Sequence, residues 1–226
     1  MENIKEELVS EKLNINYWNE FYKKVSIHEE STFCAFIKQS IDSNSVILDV
    51  GCGSGRDSFS FARSGFKVIG IDRSIEAIKI NEDVTSKSTH VGNLKFQAVD
   101  ISDEQGLSQI VEVVSKEASS QGKKLIVYIR FVLHSINERT EEILLSILSN
   151  HLRKGDCLAA EFRTIEDQKL DKLYDNHFRR FIIAEELIRK LEHEYKFETL
   201  YFVKGTGLSV FNNEDPYLGR IIMERQ

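Results

Sequence analysis

The sequence contains little proline and little cysteine. Its single proline, Pro216, leaves 226 residues without a proline-rich linker, which predicts one domain over residues 1–226. The three cysteines, Cys34, Cys52 and Cys157, form no CxxC pair and have no metal-ligand spacing. We therefore expect reduced thiols, no disulfide framework and no metal site.

An excess of basic residues and a long apolar run are also missing. The 30 Lys and Arg against 36 Asp and Glu give a formal net charge of −6, which offers no broad surface for nucleic acid or anionic lipid. No window approaches the roughly 20 apolar residues of a membrane helix, and the first residues lack the apolar core of a signal peptide. We therefore expect a cytoplasmic protein whose partners include neither nucleic acid nor membrane. The oligomeric state stays open.

Short β-branched runs alternate with helical stretches through most of the chain. This alternation predicts βαβ units, a mostly parallel sheet and helices on both of its faces. No helix separates the last two runs, so they predict an antiparallel hairpin that closes a seven-stranded sheet. The predicted strands are Val46–Val50, Lys67–Ile71, Lys95–Val99, Lys124–Ile129, Cys157–Phe162, Phe197–Lys204 and Leu218–Glu224. The predicted helices are Lys5–Tyr22, Ser31–Ile41, Asp57–Arg63, Ser74–Asn81, Ser108–Ser119, Glu141–Leu152 and Ala184–His193.

A glycine cluster after the first strand indicates a ligand-binding turn. Gly51, Gly53 and Gly55 follow this strand and open a helix. Glycine supplies the positive φ of a tight turn and lets the backbone approach a ligand closely. Asp72 ends the next strand 21 residues after Gly51, where dinucleotide folds carry an acid that binds ribose hydroxyls.

The spacing of these glycines argues against a nicotinamide cofactor. The loop reads GxGxG and lacks the third glycine of the GxGxxG pyrophosphate fingerprint. Asp49 stands inside the strand just before the loop, where its charge would repel a pyrophosphate. An acid there suits a ligand that carries an ammonium group and a sulfonium.

The segment resembles the first motif of class I S-adenosylmethionine-dependent methyltransferases, and Asp72 resembles their second. Val99-Asp100-Ile101 resembles the third motif, and Tyr128-Ile129-Arg130 matches the fourth in position. The resemblance covers roughly Tyr17 to the C-terminus. It implies a Rossmann-like α/β fold, S-adenosyl-L-methionine as the cofactor and S-adenosyl-L-homocysteine as the product.

The same resemblance implies roles for particular residues. The glycines line the methionine and the ribose, Asp72 binds the ribose hydroxyls, and Asp100 binds the adenine. The aromatic cluster Tyr17–Tyr22 resembles a helix that lids the cofactor; for Trp18, cation–π contact with the sulfonium and plain core packing both stay open. The implied cofactor-binding residues are Tyr17, Trp18, Tyr22, Asp49, Gly51, Gly53, Gly55, Arg56, Asp72, Arg73, Asp100, Ile101 and Arg130. The domain then divides into an N-terminal helical lid (1–42), a cofactor-binding core (43–162), a substrate-side insertion (163–183) and a terminal helix with hairpin (184–226).

Cationic and imidazole side chains follow the later strands. Arginine binds phosphate or carboxylate bidentately, which predicts a small anionic substrate; the alternative is local ion pairing with Glu161, Asp171 and Asp175. Histidine is suited to act as a base, so His134 is the first catalytic candidate and His177 the second, with structural or phosphate-binding roles left open for both. The candidate substrate-binding residues are Arg130, His134, Arg163, His177, Arg179 and Arg180.

The patterns YxRFxLHxI, ExR and HxRRFI resemble a narrower group of small bacterial methyltransferases. Those belong to capsule and other surface-polysaccharide gene clusters and are related to the tellurite-resistance type. The resemblance implies O-methylation of a sugar, a nucleotide-linked sugar or a phosphate-type group. One alternative is a methyltransferase for RNA or protein, which predicts a basic groove or an appended recognition domain. Another is a non-catalytic cofactor-binding partner subunit, which predicts erosion of the glycine loop or loss of Asp49, Asp72 or Asp100.

Overall fold

The computed structural model of the chain describes residues 29–88, 92–170, 172 and 178–226. In this part, seven strands form one sheet: β1 Val46–Val50, β2 Lys67–Asp72, β3 Leu94–Ala98, β4 Leu125–Arg130, β5 Cys157–Arg163, β6 Phe197–Gly205 and β7 Leu218–Arg225. The helices are α1 Thr32–Ser40, α2 Arg56–Arg63, α3 Ile75–Ser86, α4 Glu104–Ser120, α5 Glu138–His151 and α6 Ala184–His193. The predicted helix Lys5–Tyr22 lies outside the described residues.

The strands follow the order β3-β2-β1-β4-β5-β7-β6 across the sheet. Strands β1 to β5 pair in parallel, whereas β7 lies between β5 and β6 and is antiparallel to both. The predicted Rossmann-like, seven-stranded and mostly parallel α/β fold with an antiparallel C-terminal hairpin is confirmed. Residues 206–217, which connect the two hairpin strands, form a long excursion rather than a tight turn.

The central strands are apolar because both of their faces are covered. In β1 every residue is buried, and alternate side chains enter different cores. Val46, Leu48 and Val50 pack with residues of α4, α5 and α6. Ile47 packs on the opposite face with residues of α1 and α2. Asp49 follows Ile47 on that second face and accepts a hydrogen bond from Ser58 of α2.

Three helices extend three or more residues beyond one of their predicted ends. The helix α5 begins at Glu138 instead of Glu141, because the Asn137 side chain accepts from the Thr140 amide and caps it. The helix α3 runs to Ser86 instead of Asn81, because Asn81, Asp83 and Thr85 have modest helix propensities that conceal its last turn. The helix α4 begins at Glu104 instead of Ser108, since the Asp103 side chain accepts from the Gly106 amide and caps it. Within the described ranges, no helix has both the length and the apolar character needed to cross a membrane.

Candidate functional site

A cavity of about 520 Å³ opens where the parallel strands end. Ligands of open α/β sheets bind at this edge, and the volume is of the size that holds small molecules. Its wall includes residues that follow β1, β2, β3 and β4, together with the last residue of β5 and part of the 206–217 connection. The topology therefore brings the ends of five strands to one site.

The glycine loop adopts the backbone conformation that the sequence predicted. Gly51, Gly53 and Gly55 have φ values of 74°, 51° and 71°, a region that residues with a Cβ rarely enter. A Cβ at Gly51 would also lie 2.3 Å from the Val132 Cγ2 atom. Both facts require glycine at position 51.

The amides of this loop are engaged by the protein itself. Gly51 N and Cys52 N both donate to the Ile71 carbonyl, at 2.8 and 3.0 Å. Gly53 N donates to Asp72 Oδ2 at 2.9 Å. Because a pyrophosphate is held by amides that point at the ligand, these bonds argue independently against a dinucleotide site.

Asp72 is held rigidly at the end of β2. Besides the Gly53 bond, its Oδ1 accepts from Ser74 N at 2.8 Å, and burial raises the pKa of its carboxyl group. The side chain lines the cavity, and a carboxylate can accept more than two hydrogen bonds. Asp72 can therefore accept hydrogen bonds from ligand hydroxyl groups.

Asp49 is a second acidic residue in the cavity wall and is more deeply buried than Asp72. Its exposed fraction is 3%, and Ser58 Oγ donates to its Oδ2 at 2.5 Å. Burial raises the pKa of Asp49 to about 7, and the charges of Asp57 and Asp72 act in the same direction. A cationic ligand group would relieve this unfavourable environment.

A buried network around Asp57 was missed by the sequence analysis. Asp57 Oδ1 accepts from Ser31 N at 2.7 Å, and Oδ2 accepts from Ser31 Oγ at 2.7 Å and from Tyr128 OH at 2.8 Å. The network joins the starts of α1 and α2 to β4 beside the cavity. The available signal was an acid in the first turn of the helix that the glycine loop opens.

The other predicted cofactor residues divide into two groups. Arg56, Arg73 and Ile101 line the cavity, whereas Gly55 and Asp100 do not. Asp100 Oδ1 instead accepts from the amide and hydroxyl of Ser102 at 2.9 and 2.8 Å. Its carboxylate thus stabilises a turn next to the cavity. Tyr17, Trp18 and Tyr22 lie outside the described residues.

Arg130 is the last residue of β4, which lies two strands from the β2 strand of Asp72 in the sheet. Its Nε donates to Glu161 Oε1 at 2.9 Å, and its guanidinium lies 4.2 Å from the centre of the Phe131 ring. Glu161 is fully buried and also accepts from Arg220 Nε at 2.6 Å. The predicted alternative of pairing with Glu161 is therefore found for Arg130, although Arg130 still lines the cavity.

Arg163 ends β5 and lines the cavity with two carboxylates as partners. Its Nη1 donates to Asp167 Oδ2 at 2.7 Å, and its Nη2 donates to Glu214. The sequence analysis named Asp171 and Asp175 as alternative partners, and both lie outside the described residues. Neither observed partner was predicted. Glu214 is 51 residues away and is brought to Arg163 by the tertiary fold, whereas Asp167 is only four residues away and was overlooked.

His134 lines the cavity beside Arg163, but its geometry argues against the predicted role as a base. The Arg163 amide donates to His134 Nδ1 at 3.2 Å. An imidazole that accepts at Nδ1 carries its proton on Nε2 when it is neutral. The ring nitrogen that a base needs is therefore already engaged or protonated. The second candidate, His177, lies outside the described residues.

The remaining two arginines have different positions. Arg179 lines the cavity. Arg180 does not, since its guanidinium pairs with Glu141 and its amide donates to the His134 carbonyl at 2.7 Å. The structure thus places Arg130, Arg163, Arg179 and His134 in the cavity wall, whereas Arg180 lies outside it.

The sequence analysis also missed apolar and loop residues of the cavity wall. Phe131 has a φ of 60°, which is uncommon for a residue with a side chain and is often found at functional sites. Val210, Phe211 and Glu214 come from the 206–217 connection. Nothing in the periodicity of that segment distinguished it from an ordinary loop. In the part of the chain that the structure describes, no group of His, Cys, Asp and Glu is arranged to hold a metal ion.

A family model described as a methyltransferase domain matches residues 41–198. No curated protein matches the chain.

Three solved structures illustrate the likeness in fold. A SAM-dependent methyltransferase from Anabaena variabilis is 19% identical with a TM-score of 0.70, covering 96% of this chain and 95% of that chain. Magnesium protoporphyrin IX methyltransferase (ChlM) from Synechocystis, with bound SAH, is 16% identical with a TM-score of 0.59, at coverages of 94% and 85%. TehB from Haemophilus influenzae is 14% identical with a TM-score of 0.63, at coverages of 94% and 67%. At these identities the likeness supports the fold.

Proposed function

The chain belongs to the methyltransferase-domain family, whose match spans residues 41–198 and thus more than half of it, and from this premise we propose that it transfers a methyl group from S-adenosyl-L-methionine to a small anionic metabolite. The observation that carries the proposal is the placement of charged side chains in one cavity. The buried carboxylates of Asp49 and Asp72 line the part formed by β1 and β2, which we call the acidic end. Arg130 and Arg163 end β4 and β5 and line the part that we call the basic end. Two further arginines, Arg56 and Arg73, follow β1 and β2 and also line the cavity.

The acidic end suits the proposed cofactor. S-adenosylmethionine carries an ammonium group and a sulfonium, which the buried carboxylate of Asp49 attracts. Its ribose hydroxyls are donors for Asp72, and Ile101 offers an apolar contact for a base. The glycine loop can approach the ligand closely, while its bonded amides do not favour a phosphate group.

The basic end supports an anionic acceptor. Arg130, Arg163 and Arg179 line it together, and arginine favours phosphate and carboxylate ligands. The cavity must hold the cofactor as well, so the acceptor that shares its volume of about 520 Å³ is small. A sugar- or phosphate-containing acceptor and a role in capsule or surface-polysaccharide biosynthesis rest on the sequence resemblance, to which the likeness with TehB lends loose support.

The proposed reaction is an in-line displacement at the sulfonium methyl. An oxygen lone pair of the acceptor forms the new C–O bond while the C–S bond breaks and its electron pair stays on sulfur. Most of the acceleration can come from holding the oxygen close to the methyl and collinear with the breaking bond. An oxygen that is already anionic needs no base, which is consistent with the engaged Nδ1 atom of His134.

The acceptor class can be tested with a methyl-labelled cofactor and paired probes. Glucose 6-phosphate and glucuronate serve as anionic probes, and glucose is their neutral counterpart. We expect label transfer to an anionic probe, and kcat/KM for that probe should fall at least about tenfold in Arg179→Gln, as for the loss of a charged hydrogen bond. The matched control is Arg189→Gln on the exposed face of α6. Equal transfer to glucose, or no effect of Arg179→Gln, would contradict an anionic acceptor.

A further inference from the structure

The connection between β6 and β7 is anchored at both ends beside the arginine end of the cavity. Near its start, the Leu208 carbonyl accepts from Arg220 Nη2 at 2.7 Å, and Ser209 Oγ accepts from Arg130 Nη2 at 3.0 Å. At its far end, Tyr217 N donates to Asp167 Oδ1 at 2.8 Å. Between the anchors lie residues 210–215, which we call the tip and which contribute Val210, Phe211 and Glu214 to the cavity wall.

The tip is a small local turn that exposes apolar side chains. Phe211 and Glu214 exchange two backbone hydrogen bonds of 3.0 Å each. Val210 and Phe211 line the cavity yet are 59% and 40% exposed. An ion pair between the carboxylate of Glu214 and Nη2 of Arg163 ties the tip to β5.

Arg163 has one fixed partner and one partner that can exchange. Asp167 is fully buried, accepts from the Tyr217 amide, and forms an ion pair with Lys172 at 3.3 Å. Its bond to Arg163 Nη1 fixes the guanidinium. Glu214 meets Nη2 from a connection outside the sheet, and its side chain is 11% exposed. Its carboxylate can therefore leave without disturbing the sheet. An anion that entered this end of the cavity would meet the guanidinium where Glu214 now binds.

We propose that Glu214 is an internal anion that occupies the acceptor's anion site at Arg163, and that the acceptor binds by displacing it and releasing the tip. The proposal rests on the function proposed above and adds a residue that determines specificity. Exchange of one carboxylate for another changes the ion pair little. A phosphate dianion brings more charge and three acceptor oxygens. Glu214 thus favours phosphate over carboxylate acceptors.

The exchange can be measured with inorganic phosphate and acetate as probes, by calorimetric titration at pH 8. We expect Glu214→Gln to bind phosphate about fivefold or more tightly than the unaltered protein, because the competing ion pair is gone. The preference for phosphate over acetate should shrink in the same variant. The control is Glu166→Gln, whose carboxylate pairs with Lys204 outside the cavity wall at 2.7 Å. It should bind both probes as the unaltered protein does.

Displacement itself is visible in hydrogen exchange of the tip. Phosphate should speed exchange in residues 210–215 of the unaltered protein, and Glu214→Gln should exchange as fast without phosphate. The proposal is overturned if Glu214→Gln binds phosphate no more tightly than the unaltered protein does. It is also overturned if neither protein binds phosphate. The titrations are made with and without S-adenosylhomocysteine. If phosphate displaces Glu214 in a protein that does not bind S-adenosylhomocysteine, the proposed methyltransferase function is contradicted. The proposal that an anion displaces Glu214 then still stands.

Discussion

At the scale of single residues, burial disfavours the charged form of Asp49, whereas the proposed binding of the cofactor depends on that form. Its carboxyl group has a pKa of about 7 in the folded protein, against an ordinary value of 3.8. The folded state therefore binds this proton more tightly than the unfolded state. The resulting contribution to stability is full below pH 3.8 and is lost as the pH rises to about 7.

We expect Asp49→Asn to raise the thermal midpoint of the cofactor-free protein at pH 8 and to change it little near pH 5. At pH 8 the substitution removes a buried charge, whereas at lower pH the native acid is already neutral. The same variant should bind S-adenosylmethionine more weakly, because the cation loses its counter-charge. Thermal unfolding at the two pH values measures the first effect, with the exposed Asp83→Asn as control. A lower midpoint at pH 8 would refute the assigned pKa shift.

The residues that the sequence predicted are those whose chemistry is local. Gly51 and Asp72 were found because a strand, a tight turn and a second strand place them at fixed spacings. Glu214 was not found, since it meets Arg163 across 51 residues of the folded chain; Asp167, only four residues from Arg163, was overlooked although the spacing is local. The role of His134 as a base stays a prediction, against which a tertiary contact argues, the bond from the Arg163 amide to Nδ1.

Among the elements, α1 depends on an N-cap that also belongs to the site. Ser31 Oγ accepts from Cys34 N at 3.0 Å and donates to Asp57. Loss of an N-cap costs about 1 kcal/mol, and loss of the hydrogen bond to the buried Asp57 carboxylate adds to this. We expect Ser31→Ala to lower the free energy of unfolding by about 2 kcal/mol in urea. Asn137→Ala, which removes only the cap of α5, should cost about 1 kcal/mol; equal costs would show that the Asp57 bond contributes nothing.

Element boundaries follow the sequence where burial and propensity agree. The strand β1 was predicted to the residue, because its five side chains are apolar or buried and a glycine ends it. The C-terminal end of α3 at Ser86 and the N-terminal ends of α4 at Glu104 and α5 at Glu138 were missed. At these ends the helical residues are mostly polar, so apolar periodicity does not mark them. The position of β7 between β5 and β6 could not be predicted, because the periodicity of apolar residues indicates strands but not their order in the sheet.

At the scale of the whole molecule, Glu161 links several elements. Its carboxylate joins Arg130 of β4 to Arg220 of β7, and Arg220 in turn donates to Thr32 of α1 at 2.8 Å. Glu161→Gln would leave two buried guanidinium groups without their shared counter-charge. We expect a loss of roughly 3–5 kcal/mol in the free energy of unfolding. Glu224→Gln, whose partner Lys124 is exposed, should cost about 1 kcal/mol or less; a similar cost for both variants in denaturant titrations would contradict the account.

The overall charge of −6 concealed the arginines that line the site. The strand order brings Asp49 and Asp72, at β1 and β2, and Arg130 and Arg163, at β4 and β5, around one cavity. We propose that the acidic end, at Asp49 and Asp72, holds S-adenosylmethionine.

Calorimetric titration of S-adenosylmethionine and NAD into the unaltered protein, Asp72→Asn and the exposed control Asp83→Asn tests that claim most directly. We expect binding of S-adenosylmethionine but not of NAD. Its affinity should weaken by about tenfold to a hundredfold in Asp72→Asn and stay unchanged in Asp83→Asn. Binding of NAD with equal affinity, or an Asp72→Asn variant that binds S-adenosylmethionine as well as the unaltered protein, would contradict it.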